Sequence, residues 1–195
     1  MTTAYQQAFD AWQSEDFAGV LDHANRALSE GAGDAALIGL LAGTFEKIDL
    51  PAAAAEAFEL AAQHAGASGF GYLRSAMLAH DRAGDADKAF VAAMRAQKLD
   101  RDDPDVIYVM ARELDRRGET EMLAFYKNRL TDSDDPRHLD LAKRLIGAEN
   151  RNPFNLVLFR KLSALDPADH YARFKLLSVA REFCDYETID AAEYW

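Results

Sequence analysis

Through residues 70–104 the apolar positions recur at intervals of three and four. Leu73, Ala76, Met77 and His80 fall on one helical face, and beyond a stop at Gly84-Asp85 a second face is formed by Ala86, Ala89, Phe90, Ala93 and Ala96. This pattern predicts two helices folded back on each other as an antiparallel hairpin. A hairpin so small cannot cover both of its apolar faces and requires neighbours of the same kind. Equivalent stops stand at Glu15-Asp16, Asp49-Leu50, Gly118-Glu119 and Asn150-Arg151, a period of about 34 residues. Nine residues past each stop come Ala24, Phe58, Ala93, Lys127 and Phe159; twelve past come Ala27, Ala61, Ala96, Leu130 and Leu162. The second helices therefore share a buried face. The expected layout is a single domain of five hairpins (1–34, 35–69, 70–103, 104–135 and 136–168) with a partial sixth over 169–195.

The connectors agree with this layout. Asp103 precedes Pro104 and Asp135 precedes Pro136, placing a capping carboxylate before a helix whose first residue needs no amide donor. Calcium is the alternative ligand for such acidic loops, but neither has the glycine and distal glutamate of the twelve-residue calcium loop. Gly66-Ala67-Ser68-Gly69-Phe70-Gly71 superficially suggests a phosphate loop; with no strand before it and no Gly-Lys-Ser/Thr ending, it reads as an inter-hairpin connector.

In these positions the chain resembles the tetratricopeptide repeat. Phe17, Ala24, Ala27 and Leu28 match in the first hairpin, Leu41, Ala42, Phe45, Ala54, Phe58 and Ala61 in the second, and Ala76, Gly84, Ala89 and Ala96 in the third. Leu165-Asp166-Pro167 is similar to the family's closing Leu-Asp-Pro. The family's Trp, Gly and Tyr of the first helix are mostly replaced, and Lys127 stands where an aromatic is usual. The resemblance implies an all-α fold, a right-handed α-solenoid of antiparallel helix hairpins, whose first helices line a concave groove that receives a peptide or a partner helix. The groove positions it carries over are Tyr5, Phe9 and Trp12; Gly39, Gly43 and Glu46; Arg74, Leu78 and Asp81; Tyr108, Arg112 and Asp115; Asp140 and Arg144; and Phe174, Ser178 and Arg181. Some members clamp a chaperone's terminal carboxylate with Lys and Asn, but Tyr5 and Phe9 occupy the first clamp positions here, which argues against that specificity.

Composition narrows the partner. Apolar residues make up 49% of 195, enough for a continuous core, and the formal charge of −11 opposes nucleic acid as the main ligand. The N-terminus has neither the basic start nor the apolar run of a secretory signal, and the run near Ala35 to Phe45 is too short to cross a bilayer. With one cysteine, Cys184, no internal disulfide forms, and a cytoplasmic location is expected. No cofactor or metal is implied. His23, His64, His80, His138 and His170 lack a partner at metal-ligand spacing, and Cys184, among apolar neighbours, reads as a packed thiol.

The aromatics and arginines on the groove positions suit protein recognition, since these side chains combine contact area with directional donors. Tyr5, Phe9 and Trp12 either line the groove or belong to the core or an end contact. Gly39 and Gly43 mark either close packing against a neighbouring hairpin or a widened groove, at about 1 kcal/mol of helix propensity each. Arg74, Arg112, Arg144 and Arg181 form either a positive stripe or local pairs such as Arg112 with Asp115 and Asp140 with Arg144. The leading expectation is a protein-interaction module that is not itself an enzyme. The rival is the substrate-recruiting front of a protein-modifying enzyme such as a glycosyltransferase, with the chain continuing past Trp195. Self-association through exposed ends, at Trp12 or Trp195, is a third.

Overall fold

A computed structural model describes residues 4–31, 33–146 and 152–193 of the protein. All elements among the described residues are helical. The chain forms two compact units, residues 1–106 and 107–195. The first contains α1 (Ala4–Gln13), α2 (Phe17–Ser29), α3 (Ala35–Lys47), α4 (Pro51–Ala65), a 3-10 turn (Gly66–Ser68), α5 (Phe70–Arg82) and α6 (Ala86–Gln97). Helix α7 (Pro104–Arg117) begins at its end. The second unit continues with α8 (Thr120–Asp132), α9 (Pro136–Lys143), α10 (Pro153–Leu165), α11 (His170–Glu182) and α12 (Tyr186–Glu193). In the first unit α1 pairs with α2, α3 with α4 and α5 with α6, and α2 and α4 also pack on the following first helix; in the second, α10, α11 and α12 pack in succession. Each unit is an all-α array of antiparallel hairpins.

One turn is used repeatedly. Glu15, Asp49, Gly84, Gly118 and Cys184 are left-handed, with φ of 56°, 58°, 79°, 73° and 53°. In each case the next residue's amide reaches back to the carbonyl five residues earlier: Asp16 to Ala11, Leu50 to Phe45, Asp85 to His80, Glu119 to Leu114 and Asp185 to Ala180, at 2.8 to 2.9 Å. This is the Schellman closure, which satisfies carbonyls that the end of a helix leaves bare. Three of these residues then cap the next helix, Asp16 accepting from the Gly19 amide, Asp85 from Lys88 and Asp185 from Thr188. The backbone hydrogen bond from Lys88 holds the Asp85 carboxyl below its ordinary pKa, and the Thr188 hydroxyl does the same for Asp185. The fifth expected stop, Asn150-Arg151, lies outside the described residues.

Between hairpins, side-chain caps start the helices. Asp34 accepts from Leu37, Asp103 from Asp105 and Val106, Asp135 from Arg137, and Asp169 from Ala172. The two Asp-Pro connectors are thus capped helix starts.

Burial follows the register of the second helices. Ala24, Ala27, Phe58, Ala61, Ala93, Ala96, Leu130, Phe159 and Leu162 are all in the core. Lys127 joins them, its ammonium 5.2 Å from the centroid of the Phe154 ring, so a cation over an aromatic face fills the place that Phe58 and Phe159 take in their own helices. Alanine at half of these positions lets the helices approach closely at no cost in side-chain entropy.

Candidate partner-binding face

The left-handed residues give the first helices α1, α3, α5, α7 and α11 a common origin. Counted back from them by ten, six and three residues lie Tyr5, Phe9 and Trp12 on α1; Gly39, Gly43 and Glu46 on α3; and Arg74, Leu78 and Asp81 on α5. In the second unit the same offsets give Tyr108, Arg112 and Asp115 on α7 and Phe174, Ser178 and Arg181 on α11. Offsets of this kind keep side chains on one side of a helix. None of these residues is fully buried.

On α1 the three aromatics separate. Tyr5 and Phe9 stack with ring centroids 5.9 Å apart and planes inclined by 16°, at the helix surface. Trp12 packs against the cluster of Ala8, Val20, Ala24, Ala27, Leu37 and Leu41, so it is tied to the core.

The two glycines of α3 separate as well. A Cβ on Gly39 would lie 2.5 Å from Cε1 of Tyr72, the ring that α5 lays against this turn; a Cβ on Gly43 would meet nothing within 4 Å. Gly39 therefore admits a neighbouring hairpin's side chain, whereas Gly43 leaves open space.

The arginines are largely engaged within the protein. The Arg74 guanidinium joins two carboxylates, Nε 3.1 Å from Asp103 Oδ2 and Nη2 on Asp105, and so ties α5 to the capped start of α7. Arg82 reaches from α5 to Glu46 on α3. Arg112 pairs with buried Glu113, 3.2 Å away, and lies over the Tyr108 ring, while Arg116 takes the other Glu113 oxygen at 2.7 Å. Arg144, just past the end of α9, pairs with Asp140 at 3.2 Å. Arg181 is exposed on α11, and Phe174, one of the most exposed large apolar residues, stands two turns before it. Where a positive stripe was one expectation, Arg74, Arg112 and Arg144 are in ion pairs that offset their charge. Trp195, invoked for self-association, lies outside the described residues.

Sequence reasoning passed over a cluster on the other side of the first unit. His80 is buried on α5, its Nε2 2.9 Å from Oε1 of Glu59 on α4, whose Oε2 is 3.1 Å from Nη1 of Arg95 on α6. The available signal was positional: four residues before the other left-handed turns stand Ala11, Phe45, Leu114 and Ala180, and only here a histidine. A polar group in an apolar register demands a partner. Among the described residues no three His, Cys, Asp or Glu side chains gather to hold a metal ion, and no helix is long and apolar enough to cross a membrane.

No protein-family profile matches the chain, and no curated protein matches it. Among solved structures it is similar to PilF of Pseudomonas aeruginosa, at 15% identity over 98% of this chain and 95% of that one, with a TM-score of 0.32. A superposition this loose carries no argument; the fold rests on the helices and turns described above.

Proposed function

We propose that the protein is a tetratricopeptide-like interaction module, organised as five hairpins and a partial sixth, that holds a segment of a partner protein against the exposed side of its first helices. The observation that carries this reading is the periodic face of α1, α3 and α5. There the outward Tyr5–Phe9 stack, the open space at Gly43 and half-buried Leu78 share one register. Aromatic and aliphatic side chains left half-exposed on a rigid scaffold are the usual anchors of protein recognition, and a preformed surface spares a ligand part of the ordering cost. With Arg74 and Arg82 engaged internally, anchoring there is by apolar contact, and Tyr108, Arg112, Asp115, Arg144, Phe174 and Arg181 extend the equivalent positions into the second unit. An array of this kind recruits and positions; chemistry, where it follows, belongs to the partner.

The test is site-specific photocrosslinking with the full chain in native extract. A crosslinker at Gly43 should capture a discrete partner, and Leu78→Glu should abolish the capture. Equal capture from exposed Ala52 on α4, or indifference to Leu78→Glu, would overturn the proposal.

A further inference from the structure

The second helices of the first unit form another cavity. Between α4 and α6 a groove of about 600 Å³ runs along the outer side of α5, with Glu59 and His80 in its floor. Leu60 on one wall and Val91 on the other are 40% and 48% exposed, and Met94, the next turn along α6, is 39% exposed. The Glu59 carboxylate is held by His80 and Arg95, which makes the floor a closed internal network. Glu56, Asp87 and Lys88 stand along the edges and are exposed, Lys88 being paired with Asp85.

Charge says what covers these apolar walls. Residues 1–106 contain 17 Asp and Glu against 8 Lys and Arg, a formal −9 of the chain's −11. Most of those few cations are already committed: Arg26 to Asp22, Arg74 to Asp103 and Asp105, Arg82 to Glu46, Lys88 to Asp85 and Arg95 to Glu59. An apolar ligand carrying negative charge is repelled from this unit, and one carrying positive charge is drawn to it. A trough between two neighbouring helices suits the apolar ridge of a third, which presents anchors at three- and four-residue spacing.

From these observations we infer that the α4–α6 groove is a second docking site, for a basic amphipathic helix of a partner protein. Its apolar ridge packs on Leu60 and Val91, and its flanking Lys or Arg side chains face Glu56 and Asp87. The walls of the site are second helices, with His80 of α5 in its floor, and the residues that line it are not those of the face proposed above.

Calorimetry with the full chain tests it, using a synthetic 18-residue Leu/Lys amphipathic helix and its Leu/Glu counterpart as probes. The Leu/Lys peptide should bind with a Kd of roughly micromolar order and the Leu/Glu peptide should not. Replacing both Leu60 and Val91 by Ser leaves the net charge unchanged and should weaken binding by about tenfold or more. Glu56→Lys should weaken it comparably, whereas Asp22→Lys, the same charge change on exposed α2, should alter it less than about twofold. Absence of Leu/Lys binding, equal effects of Glu56→Lys and Asp22→Lys, or indifference to the double Ser variant would overturn the inference. Loss of binding in Gly43→Trp with the double Ser variant unaffected would seat the peptide on the first-helix face and overturn it as well. Leu60, Val91, Glu56 and Asp22 are exposed and a side chain at Gly43 enters open space, so helical circular dichroism should be unchanged in every variant.

Discussion

At Gly39 a methyl group would run into the Tyr72 ring; at Gly43, one turn on, it would enter open space. Two glycines that look alike in the sequence thus have opposite roles, and the difference lies in a side chain from the next hairpin, which no local pattern displays. Tyr72 packs on the cluster of Ala42, Ala54, Ala55, Phe58, Ala76 and Ala79, so its ring cannot withdraw without loss of contact. Gly43→Ala should therefore stabilise the protein by about 1 kcal/mol through helix propensity alone. Gly39→Ala should lose that gain to overpacking and come out net destabilising by roughly 1 kcal/mol. In a Tyr72→Ala background its sign should reverse, because the obstructing ring is gone. Chemical denaturation of the four proteins checks this; additivity of Gly39→Ala and Tyr72→Ala would show that the close approach is of no consequence. His80 makes the same point about legibility: its place on an apolar face was visible in the sequence, while Glu59 and Arg95, its partners in the network, come from two other helices.

The helix turns were the most legible elements, because period supplied what residue type did not. Gly84 and Gly118 announce left-handed turns, since glycine adopts positive φ without steric cost. Glu15, Asp49 and Cys184 do not, yet they adopt the same conformation and their neighbours make the same reach-back hydrogen bond. Repetition of the motif overrides local preference where the packing of both helices fixes the angle between them. The non-glycine versions carry strain of roughly 1 kcal/mol or more, partly offset by the backbone entropy that glycine would lose on folding. Glu15→Gly should accordingly stabilise the protein by about 0.5 kcal/mol, and Gly84→Ala should destabilise it by about 1 kcal/mol. Thermal unfolding of the two variants measures both; destabilisation by Glu15→Gly would show that its side chain contributes more than its backbone costs. The arginines were legible as positions on a face but not as charges available to a ligand. Arg74 draws its partners from the loop and first turn beyond α6, a contact that spacing along α5 does not reveal.

At the scale of the whole molecule, the charge divides unevenly between the two units, and this asymmetry can be read directly from the sequence once the boundary is known. Residues 1–106 carry −9, whereas residues 107–195, with 16 Asp and Glu against 14 Lys and Arg, carry −2. Salt acts on two opposing contributions in the first unit. It weakens the exposed ion pairs such as Arg26–Asp22, which contribute only a few tenths of a kcal/mol each, and it relieves repulsion among the surplus carboxylates. The partly buried pairs of Arg74 with Asp103 and Asp105 are screened much less than either. Relief of repulsion should therefore dominate where the imbalance is large. Raising NaCl from about 20 mM to about 300 mM, which shortens the screening length several-fold, should slow amide hydrogen exchange more in α1 to α6 than in α8 to α12. Mass-spectrometric exchange on the full chain reads both sets of helices in one experiment. An equal response in both would mean that ion pairing already balances the first unit's excess, and would remove the long-range attraction on which a basic partner depends.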